Sequence, residues 1–324
     1  MEKVKWGVLG TANIARGCTI PGMKLASNCE LYAVAGRSEE KAKAFKEEFG
    51  FEKYYGSYEQ LLDDEEVQAV YVPLPNGLHF KWVEAALEKK KNVLCEKPMA
   101  LNADDARALY KKAADYGVLL MEAYAYLHSP YVKSLKKDIE SGVIGKIDHI
   151  ESAFVTQGYK EDIRLYKDQG GGAMYDLGCY CTTMILSLNP DEPELVKAVA
   201  EFTDRGVDSM TSGIIRFKNG VSASFNVGMI LGENTNSRYD NLYVHGDKGS
   251  IRSDVEFNQS GDCCYRIYTD EGVTERKVNA PQNYSLEIEQ FGKCILSGET
   301  PYVTPEFSVK NSELMDMVLK EIGY

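Results

Sequence analysis

The first 120 residues alternate short, wholly apolar runs with amphipathic stretches, and this alternation constrains the fold more than any other feature of the chain. Val4–Leu9, Glu30–Ala35, Ala69–Val72, Asn92–Cys95 and Val118–Met121 read as buried strands. Ser38–Phe49, Tyr58–Asp63, Phe80–Lys90 and Ala103–Tyr116 read as helices between them. Strands joined through helices pair in parallel by right-handed crossovers, so the repeated unit builds an open, doubly wound sheet. Ligands of such sheets bind at the carboxyl ends of the strands.

Beyond about residue 122 the pattern changes. Ile147–Gln157, Leu195–Thr203, Ser209–Phe217, Val221–Ile230, Asn241–His245 and Cys264–Tyr268 are longer and more alternating, with turn signals such as Lys218-Asn219-Gly220. They predict an antiparallel sheet. Helices over Ala173–Ser187, Ser285–Leu296 and Ser308–Ile322 are expected to accompany it. A chain of 324 residues exceeds the roughly 250–300 at which a single core stops growing. The expected fold is α/β with two domains: residues 1–122 form the doubly wound parallel sheet, and residues 123–324 an α+β domain with a large open, mainly antiparallel sheet.

A formal net charge of -12, with no dense basic block beyond Lys89–Lys91, argues against nucleic acid and anionic membrane as partners. The amino terminus runs directly into a strand pattern, and nowhere do about 18 apolar residues follow one another. A cytoplasmic protein is expected. The eight cysteines are scattered, several in apolar runs, and read as free thiols; neither Cys179-x-Cys181 nor Cys263-Cys264 has metal-ligand spacing, so no metal site is expected.

Directly after the first strand comes Gly10-Thr11-Ala12-Asn13-Ile14-Ala15, a degenerate form of the glycine fingerprint that brings a dinucleotide pyrophosphate to a helix amino end. Ala12 stands where the second glycine is usual, so the turn alone is weak evidence. The end of the second strand is a second test. A carboxylate that would hold ribose hydroxyls is missing there, and the sequence reads Gly36-Arg37-Ser38. A guanidinium beside a hydroxyl suits a 2′-phosphate, which predicts NADP in preference to NAD; the bland alternative is a solvated surface arginine.

Tyr71-Val72-Pro73-Leu74-Pro75-Asn76-Gly77-Leu78-His79, Glu96-Lys97-Pro98 after a buried strand, and Gly170-Gly171-Gly172 followed by Asp176 and Tyr180 complete the pattern. Together they resemble the glucose-fructose oxidoreductase / inositol dehydrogenase / rhizopine-catabolism (Gfo/Idh/MocA) family over essentially the whole chain. Arg37 and Tyr180 are more similar to its NADP-linked dihydrodiol dehydrogenase, D-xylose dehydrogenase and glucose-fructose oxidoreductase branch than to the inositol dehydrogenases.

The resemblance implies a Rossmann dinucleotide domain followed by a substrate-binding and oligomerisation domain. It further implies an oxidoreductase that moves a hydride between a nicotinamide and a hydroxyl or carbonyl of a sugar, polyol or cyclic diol. Lys97 would lie beside the nicotinamide and substrate hydroxyl, with Pro73, Asn76, His79 and Glu96 on the cofactor side. Asp176 and Tyr180 would project into a cleft from a helix of the second domain. Many relatives carry histidine where this chain has Tyr180, which changes the acid/base group and leaves the lysine's role intact. The implied catalytic set is Lys97, Tyr180 and Asp176, and the implied cofactor set is Gly10, Thr11, Ala12, Asn13, Ile14, Arg37, Ser38, Pro73, Asn76, His79, Glu96 and Lys97.

A phenol with an ordinary pKa of about 10 is a poor base at neutral pH, and a nearby ammonium favours its phenolate, so Lys97 with Tyr180 makes a plausible proton-transfer unit. The glycine run is expected to let the backbone turn sharply and pass close to another surface at the start of their helix. Asp162, Arg164 and Tyr166 just upstream are candidates for substrate contact. The competing readings are a catalytically inactive NADP-sensing regulator of the same fold, which loss of Lys97 or Tyr180 would favour, and a scaffold whose parallel sheet is only structural. The uncovered face of the second sheet predicts a homodimer or a dimer of dimers.

Overall fold

The computed structural model describes residues 2–159, 161–231 and 237–324. The chain divides into two compact units, Met1–His128 with Gln282–Val309, and Ser129–Pro281 with Lys310–Tyr324.

The first unit is built on strands β1 (Val4–Leu9), β2 (Cys29–Ala35), β3 (Lys53–Tyr55), β4 (Ala69–Val72), β5 (Asn92–Glu96) and β6 (Leu120–Ala123). Their order is β3-β2-β1-β4-β5-β6, and every neighbouring pair is parallel. The strand order reverses between β1 and β4, the place where a doubly wound sheet opens a crevice. The apolar runs are strands because they are buried on both faces: every residue of β4 and β6 is buried. Helices start where polar caps stand. Ser38, Ser57 and Asn102 each accept a backbone N–H three residues on, and Gly50 and Gly117 end their helices in the left-handed region. The helix expected from Phe80 begins at Asn76 instead, because Pro75 supplies the extended residue before it. Strand β3 was not anticipated, since three half-buried residues carry no periodicity.

Sequence order associates the helix Asn283–Ser297 with the second sheet, but it belongs to the first unit. Phe291 packs on Trp6 with ring centroids 5.8 Å apart, Asn28 donates to the Glu289 carbonyl at 2.9 Å, and Gln282 donates to the Cys18 carbonyl at 2.9 Å.

The second unit carries β7 (Ile147–Tyr159), β8 (Pro193–Phe202), β9 (Asp208–Phe217), β10 (Ser222–Leu231), β11 (Arg238–Gly246), β12 (Gly249–Ser253), β13 (Gly261–Thr269) and β14 (Gly272–Ala280). They form one sheet in the order β14-β13-β12-β11-β7-β10-β9-β8. All pairs are antiparallel except β7 with β10, which is parallel. Strand β14 shows no sequence signal because, as an edge strand, it exposes Glu275, Arg276 and Lys277 in succession. A further unanticipated helix, Pro130–Glu140, is fixed against this end of the sheet: Tyr265 and Arg276 both donate to Asp138, at 2.7 and 2.9 Å. The other sheet face displays Val199 and Tyr239, 74% and 57% exposed, together with Leu195 and Ile214.

Candidate active site

In the first unit, the carboxyl ends of β1, β4 and β5 lie side by side by strand pairing. After β1, Gly10 has φ +119, a conformation that side chains rarely adopt, and its amide donates to the Ala35 carbonyl at 2.9 Å. The helix that follows makes its first backbone hydrogen bond from Arg16 to Ala12, so the amides of residues 13–15 precede the ladder, as an anion site at a helix start requires. At the end of β2, Arg37 is exposed and makes no ion pair or hydrogen bond among the described residues. The Ser38 oxygen caps the next helix by accepting the Lys41 amide at 3.3 Å, which leaves its own proton free to donate.

After β4, Pro73 is buried and Asn76 half-buried at the first position of its helix. The sequence sets His79 along a cofactor, but the ring is completely buried. Nδ1 lies 2.8 Å from the Pro98 carbonyl and Nε2 2.7 Å from the Leu74 carbonyl, so His79 stands between the loop after β4 and the loop after β5; both carbonyls accept, and a neutral ring donates to one of them. Burial, with Lys97 as a smaller contributor, pushes this imidazole down to about 4. The lysine itself is half-buried, and the Lys97–Pro98 peptide is cis.

Glu96 is likewise turned inward. Thr19 donates to the Tyr71 hydroxyl at 2.8 Å, and Tyr71 donates to Glu96 at 2.5 Å. Below the lysine loop, Glu122 accepts the Met99 amide at 2.9 Å. Its burial raises the carboxyl, and the Met99 amide, and to a lesser degree Lys97, pull it back. Glu122 escaped the sequence reading because a lone acid in a buried strand carries no motif.

In the second unit the helix expected over Ala173–Ser187 is composite: Met174–Gly178 is a π turn and Cys179–Leu188 an α-helix. Asp176 and Tyr180 therefore straddle a wider turn than the simple helical spacing implies, a local feature often found at functional sites. The Gly run meets its expectation at two positions. A Cβ on Gly171 would collide with the Arg164 carbonyl, and Gly172, with φ +106, has no room for one beside the Asp208 carboxylate.

Asp176 accepts from Arg164 Nε at 2.8 Å, and the same guanidinium reaches Asp162 at 2.9 Å. The aspartate thus shares one guanidinium with Asp162 inside its own unit. Tyr166 instead donates to Glu161 at 2.8 Å, beneath the Arg205 guanidinium. Tyr180 is half-buried, with its ring centroid 5.5 Å from Phe154 and 5.2 Å from Phe257. Asn258, in the left-handed region with φ 63, directs Nδ2 at the Tyr180 hydroxyl from 3.5 Å. A lone asparagine in a loop gives no sequence signal, so this neighbour was also missed. All eight cysteines are free thiols, and among the described residues no helix is long and apolar enough to cross a membrane.

Two family models match the chain: the oxidoreductase family with an NAD-binding Rossmann fold over residues 4–124, and the GFO/IDH/MocA C-terminal domain over residues 132–252. The chain is 32% identical to D-xylose 1-dehydrogenase (NADP(+)) 2 of Haloferax volcanii, over 97% of this chain and 95% of that protein. It is 30% identical to trans-1,2-dihydrobenzene-1,2-diol dehydrogenase of Xenopus laevis, over 98% of both. Among solved structures, a 3-ketoreductase from Actinomadura kijaniata in complex with NADP and TDP-benzene superposes with a TM-score of 0.91 at 30% identity, covering 99% of this chain and 98% of that one.

Proposed function

The chain belongs to the Gfo/Idh/MocA oxidoreductase family, and from that premise we propose that it is an NADP-dependent dehydrogenase or reductase acting on a hydroxyl or carbonyl of a sugar, polyol or cyclic diol. One observation carries the reading: the Gly10 turn, the Pro73–Asn76 segment and Lys97 stand together at the carboxyl ends of adjacent strands β1, β4 and β5. The residues present fit the cofactor. Gly10 frees the backbone for close approach, and the guanidinium of Arg37, unengaged among the described residues, is available to a 2′-phosphate.

When bound, NADP supplies the acceptor or donor of the hydride. The protein has to orient the substrate carbon and move the hydroxyl proton. Tyr180 is the proposed proton-transfer residue, with Lys97 as the cation that favours its phenolate and holds the substrate oxygen. Asp176, ion-paired with Arg164, is suited to orienting substrate rather than to taking the proton. Presence of both Lys97 and Tyr180 favours an enzyme over a cofactor-sensing regulator. The test is a panel of D-xylose, D-glucose, myo-inositol and trans-cyclohexane-1,2-diol with NADP, and the matching carbonyls with NADPH. Turnover of at least one class with NADP(H) is expected; tight NADPH binding with no turnover across the panel would favour the regulator.

The subunit is further proposed to pair through the open face of its large sheet. Exposed Val199 and Ile214 on the adjacent strands β8 and β9, with exposed Tyr239 on β11 of the same face, support this, because association would cover these apolar side chains. A two-fold axis would let the face cover itself. Free thiols fit a reducing compartment, so we place the protein in the cytoplasm.

A further inference from the structure

We propose that Tyr324 is a positioning residue that fixes the amino end of the helix bearing Asp176 and Tyr180, and so sets where those side chains stand. The helix Pro305–Ile322 is closed by Gly323 in the left-handed region, with φ +74. The Tyr324 amide returns to the Leu319 carbonyl at 3.0 Å, and that of Gly323 to Lys320 at 3.2 Å. This closure reverses the backbone and fixes the origin of the Tyr324 side chain.

The Tyr324 hydroxyl donates to the Gly171 carbonyl at 2.6 Å. Its ring meets Tyr175 edge-on, with centroids 5.6 Å apart, and lies under the Lys167 ammonium at 4.5 Å. A Cβ on Gly172 would come within 3.3 Å of the same ring. Tyr324 therefore touches Lys167, Gly171 and Tyr175 of the segment that leads into Asp176, and lies beside Gly172.

On the same side of Gly172, buried Asp208 accepts the Met174 amide at 2.9 Å and the Thr211 hydroxyl at 2.6 Å. The carboxylate caps the helix start from a distant strand, and Tyr324 holds the carbonyl three residues earlier. With the Gly171 carbonyl and the Met174 amide both held, the backbone from Gly171 to Met174 has little freedom to shift. A helix moved by a fraction of an ångström carries Asp176 and Tyr180 with it, and reacting groups displaced by 1 Å lose on the order of 10² in rate.

The inference rests on the proposed role of Tyr180, and its experiment separates the two. Tyr324→Phe keeps the ring and removes only the hydroxyl. With the panel substrate that turns over best, kcat should fall about tenfold, the equivalent of one lost hydrogen bond, while NADPH affinity and melting temperature stay near wild type. In a background carrying both Tyr180→Phe and Asp176→Asn the same change should cost less than about twofold, because both groups being positioned are gone. Equal losses in both backgrounds, or none in the wild-type background, would overturn the proposal. Hydrogen exchange reads the same anchor without turnover: amides of residues 171–176 should exchange faster in Tyr324→Phe, with strands β9 and β10 unchanged. Unaltered exchange there refutes the anchor whatever Tyr180 does. Near-normal turnover of Tyr180→Phe alone, with faster exchange in Tyr324→Phe, would overturn the proton-transfer reading and support the anchor.

Discussion

Replacing Arg37 with alanine should separate the two nicotinamide cofactors. Arg37 is exposed at the end of β2 and makes no ion pair or hydrogen bond among the described residues, so its removal breaks none there. The melting temperature should hardly move, as for surface substitutions worth within about 0.5 kcal/mol. What is lost is a charge-assisted contact to a 2′-phosphate, typically about 1.5–3 kcal/mol. Solvent screening at so exposed a site favours the lower end, which is about tenfold in Kd at physiological salt and more at low ionic strength. Ser38 retains its hydroxyl proton as a second donor, so binding is weakened and not abolished. The assay is fluorescence titration of NADPH and NADH against wild type and variant at two salt concentrations. NADPH affinity should fall with a reduced salt dependence, and NADH affinity should stay the same. Equal losses for both cofactors, or a wild-type preference for NADH, would refute the account of the pocket.

Other consequences are equally accessible. Lys97→Met should lower turnover by at least about 10²-fold while leaving the fold intact, as steady-state kinetics with circular dichroism will show. His79 is held down to about 4 against an ordinary 6.5, so between these values the unfolded chain binds a proton that the native one refuses. Its contribution to stability is complete above pH 6.5, is lost as pH falls towards 4, and amounts to about 3 kcal/mol at ~1.4 kcal/mol per pH unit. Urea melts across this range should show that slope in wild type and a flatter one in His79→Gln; identical slopes would contradict the assignment. Val199→Glu combined with Ile214→Lys should shift light scattering from an assembled species to the 36.2 kDa monomer, whereas a monomeric wild type would refute pairing through the sheet.

The doubly wound sheet is legible in sequence because its strands are buried on both faces, so each central strand is an uninterrupted apolar run such as Ala69–Val72. Strands β3, β12 and β14 escaped because the first two are only three and five residues long and the third is an exposed edge. Helix Asn283–Ser297 was legible as a helix but not as part of the first unit, since its partners Trp6, Asn28 and Cys18 lie more than 250 residues earlier. Motifs pointed to Gly10 and Lys97 as candidates in the first unit, and to Asp176 and Tyr180 in the second. Residues that support them remained hidden, because Glu122, Asp208, Asn258 and Tyr324 reach their targets through tertiary contacts that leave no local pattern. His79 is intermediate: its place in a motif was plain, but its burial between two backbone carbonyls requires the folded loops.

The pH dependence of kcat/KM for oxidation, measured in wild type and Tyr180→Phe, tests the central claim most directly. If Tyr180 takes the substrate proton with Lys97 beside it, wild-type activity falls as pH drops through the pKa of the coupled site. Tyr180→Phe should then lose about 10²–10⁴ in turnover and that limb of the profile, with NADP affinity preserved. A Tyr180→Phe enzyme with near-normal turnover and an unchanged profile would contradict the assignment and transfer proton movement to Lys97 or to water.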